Sequence, residues 1–320
     1  MDKVTVLKSP ERSEDRLIEM LSTALGSEIA RYLEDPLVVE VMLNPDGCLW
    51  IDKLGEGRSY TGCKISAAEA ERIIYIVASS TGAVCNYENP MLSAEFPGSG
   101  NRFQGLLPPV VKAPTITIRK RALKVFSLEQ YVTDGIMTER QKDIVIGAIH
   151  EKKNILIVGG TGSGKTTFGN AVLNEIAKTQ DRIIIIEDTR ELQCTAPDTV
   201  FLRSRKHVSM NDLLFATMRL RPDRIVVGEV RGPEALTLLK AWNTGHPGGC
   251  ATVHANSARG GLIRLEQLIQ EAIPNPQREL IAEAVNIVVF ITRYQKNRLI
   301  QEVVAVEGFK HDEYIIKSIE

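Results

Sequence analysis

Cysteine is scarce in this chain: Cys48, Cys63, Cys85, Cys194 and Cys250 are the five present, and no pair has CxxC spacing. That pattern argues against a disulfide framework and a thiolate zinc site, and fits reduced thiols in a cytoplasmic protein. An excess of either charge is missing too, with 39 basic against 40 acidic residues and a net charge of -1. General nucleic-acid binding normally brings a basic excess, so the balance speaks against it. Aromatic residues make up 5% of the chain, and they form no platform on which single-stranded bases would stack. No apolar run approaches the ~20 residues that span a bilayer; residues 287–291 have the length of a buried strand. Residues 1–12 are polar and charged, unlike a signal peptide. Membrane contact is therefore expected to be peripheral or through a partner. Internal repeats and low-complexity stretches are absent.

What remains is an ordinary globular composition, 43% hydrophobic and 25% charged over 320 residues, long enough for two domains. Ser13 is placed to cap a helix in which Leu17, Leu21, Leu25, Ile29 and Leu33 recur every fourth residue. Asn44-Pro45-Asp46-Gly47 is a turn signal between residues 38–43 and 48–52, which predicts a hairpin. Ser66-Ala67-Ala68-Glu69 is a capping box opening a helix to about Ser80. A glycine- and proline-rich stretch, 97–109, precedes an alternating strand, Thr115-Ile116-Thr117-Ile118-Arg119. Residues 1–120 thus read as an α+β domain, and 121–134 as a linker. From 135 to 320 the pattern changes. A second capping box, Thr138-Glu139-Arg140-Gln141, is followed by continuously apolar runs at 155–158, 183–186, 225–227 and 251–253. Such runs belong to strands covered on both faces, as in a parallel sheet, which makes this part an α/β nucleotide-binding core. Residues 287–319 read as strands joined by turns, one of them at Lys296-Asn297.

Gly159-Gly160-Thr161-Gly162-Ser163-Gly164-Lys165-Thr166 matches G-x-x-x-x-G-K-[ST] in full and lies between an apolar run and a helix. Its glycines let backbone N–H groups turn inward around phosphate oxygens, and the helix adds its positive end. Lys165 is the cation for β- and γ-phosphates and Thr166 the hydroxyl for Mg²⁺, with Thr167 completing the nucleotide-binding set. Two further apolar runs deliver Glu187-Asp188 and Glu229 to the C-terminal edge of the sheet, where ligands of open α/β sheets bind. A carboxylate there orients and deprotonates the attacking water, and both Glu229 and Glu187 are candidates. The acid that usually ends the second of these strands is replaced by Gly228, so Mg²⁺ rests on Thr166 and water, with Glu187 or Asp188 as further ligand candidates. His246 and His254 flank the last apolar run; carboxylate and cysteine partners at zinc spacing are lacking, and His254 is placed to sense a γ-phosphate.

The phosphate loop, IIEDTREL at 185–192, LRPDRIVVGEVRG at 220–232 and TGHPGGCATVHANS at 244–257 resemble the Walker A, Asp, Walker B and His boxes of the secretion-superfamily, or traffic, ATPases. The first domain is similar to theirs through Asn101-Arg102-Phe103-Gln104, Pro108-Pro109 and Ile116-Thr117-Ile118-Arg119-Lys120. Within the superfamily the chain resembles the type IV secretion branch and its conjugal-transfer members; type II secretion ATPases carry a four-cysteine zinc motif and pilus-retraction ATPases a C-terminal helical motif, and the lack of both here supports that choice. The resemblance implies a RecA-like P-loop core and a homohexameric ring with ATP between the two domains. It implies a position at the cytoplasmic face of the inner membrane beside membrane components of the apparatus, and an ATPase that drives secretion or conjugative transfer. It also implies that Arg102 and Arg119 reach nucleotide phosphate; Arg219, Arg221 and Arg231 lie near the Walker B strand, and which arginine acts across a subunit boundary stays open. A DNA translocase or helicase and a nucleotide-dependent scaffold with little turnover are the competing readings.

Overall fold

The computed structural model describes residues 10–121, 125–205, 207–294 and 297–319. The chain separates into two compact units, the first ending at residue 123 and the second starting at 124.

The first unit is a six-stranded antiparallel sheet with two helices. Helix α1 (Pro10–Glu34) is followed by β1 (Val38–Leu43), β2 (Cys48–Lys53), β3 (Gly57–Lys64), α2 (Ala67–Thr81), β4 (Met91–Glu95), β5 (Arg102–Leu106) and β6 (Thr115–Arg119), in the spatial order β3-β2-β1-β6-β5-β4. The hairpin predicted around Asn44-Pro45-Asp46-Gly47 forms, with Gly47 at φ 78° and its N–H donated to Asn44 O at 2.9 Å. The Ser66 box forms as well: Ser66 Oγ accepts from Glu69 N, and Ser66 N donates to Glu69 Oε2 at 2.9 Å. Helix α1 departs from expectation. It starts at Pro10, so Ser13 lies inside it and is not the cap, and it kinks at Gly26, whose φ of 66° no helix accommodates. Proline suits a first turn, where its missing N–H has no partner to lose. Leu21, Leu25 and Ile29 pack with Ile73, Ile74 and Val77 of α2 and with Phe103, Ile116 and Ile118 of the sheet. Because side chains alternate along a strand, Arg102, Gln104, Thr117 and Arg119 fall on the face that this core leaves open.

The second unit opens with α3 (Leu128–Thr133), which falls within the stretch read as a linker. Ser127 caps it, and Leu128 and Tyr131 are buried in the unit's core; a helix this short shows little periodicity. Then come α4 (Glu139–His150), β7 (Ile155–Val158), α5 (Lys165–Ile176), β8 (Ile183–Glu187), β9 (Thr199–Arg203), α6 (Met210–Thr217), β10 (Arg224–Val227), α7 (Glu234–Asn243), β11 (Cys250–Val253), α8 (Ala258–Gln270), α9 (Arg278–Ala284), β12 (Ile287–Tyr294), β13 (Asn297–Lys310) and β14 (Glu313–Ser318). The sheet runs β14-β13-β12-β7-β11-β10-β8-β9, parallel from β12 to β9 and antiparallel in the final hairpins. The predicted turn at Lys296 lies outside the described residues.

Every residue of β7, β8, β10 and β11 is buried. Alternate residues feed two cores: Ile155, Ile157, Ile183, Ile185 and Val226 join α3, α4 and α5, while Leu156, Val158, Ile184, Ile186, Ile225 and Val227 join α7, α8 and α9. This double coverage explains the unbroken apolar runs, and it leaves strand ends as the places where polar chemistry can gather. An α/β core carrying a phosphate loop, behind a smaller α+β unit, is the fold expected from the sequence.

Candidate active site

The parallel strands end together at one edge of the second sheet. β7 runs into the phosphate loop, β8 ends on Glu187, β10 leads to Glu229, and β11 leads to His254. Two glycines of the loop are demanded by space. A Cβ at Gly159 would meet Ile291 O at 2.4 Å and Ser163 Oγ at 2.5 Å. Gly164 sits at φ 101° as the N-cap of α5, with no side-chain cap and no acid in the helix's first turn. The uncapped N–H groups are thus left for an anion. Ser163 Oγ is buried with no hydrogen-bond partner among the described residues, and Lys165 is buried at the mouth of the loop.

Lys165 Nζ donates to Gly159 O and Gly160 O, each at 2.9 Å, and lies 3.2 Å from His254 Nδ1. An ammonium only donates, so Nδ1 accepts and the imidazole proton belongs on Nε2. That nitrogen stands 2.6 Å from Glu229 Oε1. Glu229 Oε2 accepts from Arg231 Nη2 at 2.5 Å, and Arg231 Nη1 donates to Asp188 Oδ2, also at 2.5 Å. One chain of contacts therefore joins Lys165, His254, Glu229, Arg231 and Asp188, which come from four separate segments. Burial pushes His254 below its ordinary range; Glu229 opposes that, while the charges of Lys165 and Arg231 push the same way. The imidazole is the neutral form near pH 7. Burial also works against the Arg231 charge, but the bond to Glu229 and the nearby Asp188 outweigh it, so the guanidinium is held above its usual range.

Glu187 is placed differently from Glu229. It is buried, and its Oε1 accepts the N–H groups of Glu191 at 2.9 Å and Leu192 at 2.8 Å. Its side chain packs on Gly228: a Cβ there would meet Glu187 Cγ at 3.0 Å. The glycine that replaces the usual strand-ending acid thus makes room for a carboxylate from the neighbouring strand. Asp188 Oδ1 accepts from Thr189 N at 2.8 Å, so each of its oxygens already has a partner. No cluster of three or more His, Cys, Asp or Glu side chains suited to a metal occurs among the described residues. Thr166, in the first turn of α5, has the hydroxyl that would ligate Mg²⁺.

Arg102 and Arg119 face each other across β5 and β6 in the first unit, opposite Glu95 and Glu40 respectively. His246 lies before β11, at the other end from His254, 3.1 Å from Pro222 O. Arg219 and Arg221 precede β10 and are exposed at that same far edge. Of the three arginines of that segment, Arg231 lies at the edge where Glu229 and Asp188 stand, and it contacts both. Arg224 escaped notice in the sequence: fully buried, it donates to Asp181 Oδ2 at 2.6 Å, Gly248 O at 3.0 Å and Ile149 O at 3.0 Å. It ties the far ends of β10 and β11 to α4, and with Lys152 it helps hold the Asp181 carboxyl down at about 2 despite burial.

The family profile described as "Type II/IV secretion system protein" matches residues 97–310. The "Probable conjugal transfer protein TrbB" of Sinorhizobium fredii is 50% identical over 309 residues, 96% of this chain and 95% of that protein. The "Type IV secretion system protein VirB11" of Bartonella quintana is 31% identical over 285 residues, covering 76% of this chain and 80% of its own. Among solved structures, the Legionella pneumophila ATPase DotB superposes with a TM-score of 0.61 at 20% identity, over 95% of this chain and 83% of that one, and it bears on the fold.

Proposed function

Since this chain belongs to the type II/IV secretion system protein family, as an ATPase of the type IV secretion and conjugation branch, we propose that it hydrolyses ATP at the loop Gly159–Thr166 and drives conjugative transfer or secretion as a homohexameric ring. The observation that carries the site assignment is the chain Lys165–His254–Glu229–Arg231–Asp188 at one edge of one sheet.

The loop glycines and the start of α5, with Thr167 beyond Thr166, surround the phosphates. Lys165 exchanges the carbonyls of Gly159 and Gly160 for phosphate oxygens, a charge-assisted pairing that a dianionic terminus makes favourable. As Lys165 turns away, His254 Nδ1 loses its donor, and the imidazole is left between Glu229 and the terminal phosphate. His254 is thereby a reporter of that phosphate. Glu229 is the base that orients water, since its carboxylate contacts His254, which in turn contacts Lys165 of the phosphate loop, whereas Glu187 is buried against the backbone N–H groups of Glu191 and Leu192. Glu187 acts through the loop it holds. Thr166 would hold Mg²⁺, which neutralises charge on the β- and γ-phosphates when bound. Arg102 and Arg119 on the open face of the first sheet supply charge to phosphate within the ring. No helix among the described residues is long and apolar enough to cross a membrane, in keeping with peripheral attachment to inner-membrane components of the apparatus.

The test is steady-state phosphate release by the purified full-length protein, with Lys165→Ala as background, alongside light-scattering mass. Turnover above that background, rising per subunit as rings assemble, is expected, and single-stranded DNA at physiological salt should leave it unchanged. Release at background level would favour a scaffold; strong stimulation by DNA would favour a translocase.

A further inference from the structure

The flank of the phosphate loop away from Glu229 carries a cation that the chemistry above does not use. β12 lies beside β7 on the side opposite β11, and both strands point to the same edge. β12 and β13 pair antiparallel with Arg293 opposite Arg298, so the hairpin brings Arg298 back to the loop. A Cβ at Gly164 would meet Arg298 Cδ at 2.6 Å and Nε at 2.8 Å; the arginine stem rests on the loop's last glycine. Its Nε is buried with no hydrogen-bond partner, and no ion pair of Arg298 is found among the described residues.

Three sources of positive charge therefore converge. One is the N-terminus of α5, with no cap side chain and no first-turn acid; the second is Lys165 within that turn; the third is Arg298. An unpaired buried N–H opposes folding, and like charges repel. The same arrangement becomes favourable around a multiply charged anion, where backbone N–H groups, an ammonium and a guanidinium each take an oxygen.

We propose that Arg298 is a nucleotide-binding residue that hydrogen-bonds a phosphate oxygen common to ATP and ADP. The sheet order supports this end of the ligand. Glu229 and His254 stand on the β11 and β10 side of β7, where the γ-phosphate must lie for water to be aimed at it. The nucleoside end of the phosphate chain then runs toward β12, where Arg298 waits. The proposal rests on the reading that this loop binds nucleotide.

The experiment measures binding of ADP and of a non-hydrolysable ATP analogue to the full-length protein by calorimetry. Arg298→Met keeps an unbranched stem against Gly164 and removes the charge. It should weaken both ligands by the same factor, about tenfold or more, the loss of one charge-assisted bond. Melting without nucleotide should stay as in wild type or rise, because an unpaired buried donor has been removed; a purely structural arginine would lower it. Arg298→Lys should fall between the two. Lys165→Ala, measured in parallel, reports on the loop. If it loses binding while Arg298→Met binds both ligands within twofold of wild type, the proposal is overturned and the loop reading stands. If Lys165→Ala binds normally, the loop reading fails and the proposal with it. Weakening confined to the triphosphate analogue would place Arg298 at the γ-phosphate and overturn the flank assignment. Should Arg298→Met not fold, Arg298→Gln takes its place under the same criteria, and failure of both would assign the residue to structure and overturn the proposal.

Discussion

The six-stranded sheet buries one face beneath α1 and α2 and leaves Arg102, Gln104, Thr117 and Arg119 on the other, while the eight-stranded sheet is covered on both faces in its parallel part. A half-covered sheet spreads its polar groups over an area, one at every second position. A doubly covered sheet has no area left, so its polar groups collect where strands end. There they come within hydrogen-bond distance of one another: Lys165, His254, Glu229, Arg231 and Asp188 touch in sequence. The open face suits contact with something outside its own unit, and the crowded edge suits chemistry.

Substitutions in the two sheets test that contrast. Lys165→Ala at the crowded edge should have the largest effect, reducing phosphate release to background in a steady-state assay; turnover within a few-fold of wild type would remove the site from the loop. On the open face, Arg102→Ala and Arg119→Ala in the full chain should lower kcat by about 10³-fold or more, the contribution of an arginine aimed at transferring phosphate. Nucleotide affinity should change much less. If both variants turn over normally, the first sheet has no part in the reaction and the contrast reduces to packing. Glu229→Gln should lower phosphate release by about 10²-fold or more while ATP binding survives, as expected for loss of a general base. Normal turnover in that variant, with loss in Glu187→Gln, would move the base to the neighbouring strand. The smallest effects separate the sheets by burial alone. Ile185→Val, in a strand covered on both sides, should cost about 0.5–1.5 kcal/mol in denaturant unfolding. Thr117→Val on the open face should stay within about 0.5 kcal/mol of wild type; equal losses at both positions would mean that the open face is not open.

Legibility followed the same division. The second unit was readable because buried parallel strands need continuous apolar runs, and the residue after each run is then a candidate for the sheet edge. Glu187, Glu229 and His254 were found in this way. Strands β3, β4, β5 and β9 carry short or weakly apolar segments, and they did not stand out. Helix α3 has six residues, too few to show a period, which is why its segment read as a linker. The kink at Gly26 is invisible to a pattern of leucines every fourth residue, because both halves of α1 keep that pattern.

By itself the sequence determined the phosphate loop, the parallel core behind it and the acids at its strand ends. Each follows from local rules: glycine where backbone must turn inward, apolar runs where both faces are covered, polar residues where a strand leaves the core. Only the tertiary structure gave the two acids different surroundings. Glu187 and Glu229 sit in nearly equivalent positions along the chain, yet the absence of a side chain at Gly228 lets Glu187 pack inward onto backbone N–H groups, while Glu229 meets His254 and Arg231. It decided equally that Arg231, and not Arg219 or Arg221, meets Glu229 and Asp188, and that Arg298 returns from over a hundred positions away to rest on Gly164. These are contacts between segments far apart in sequence, set by strand order and register, and no local pattern of residues encodes them.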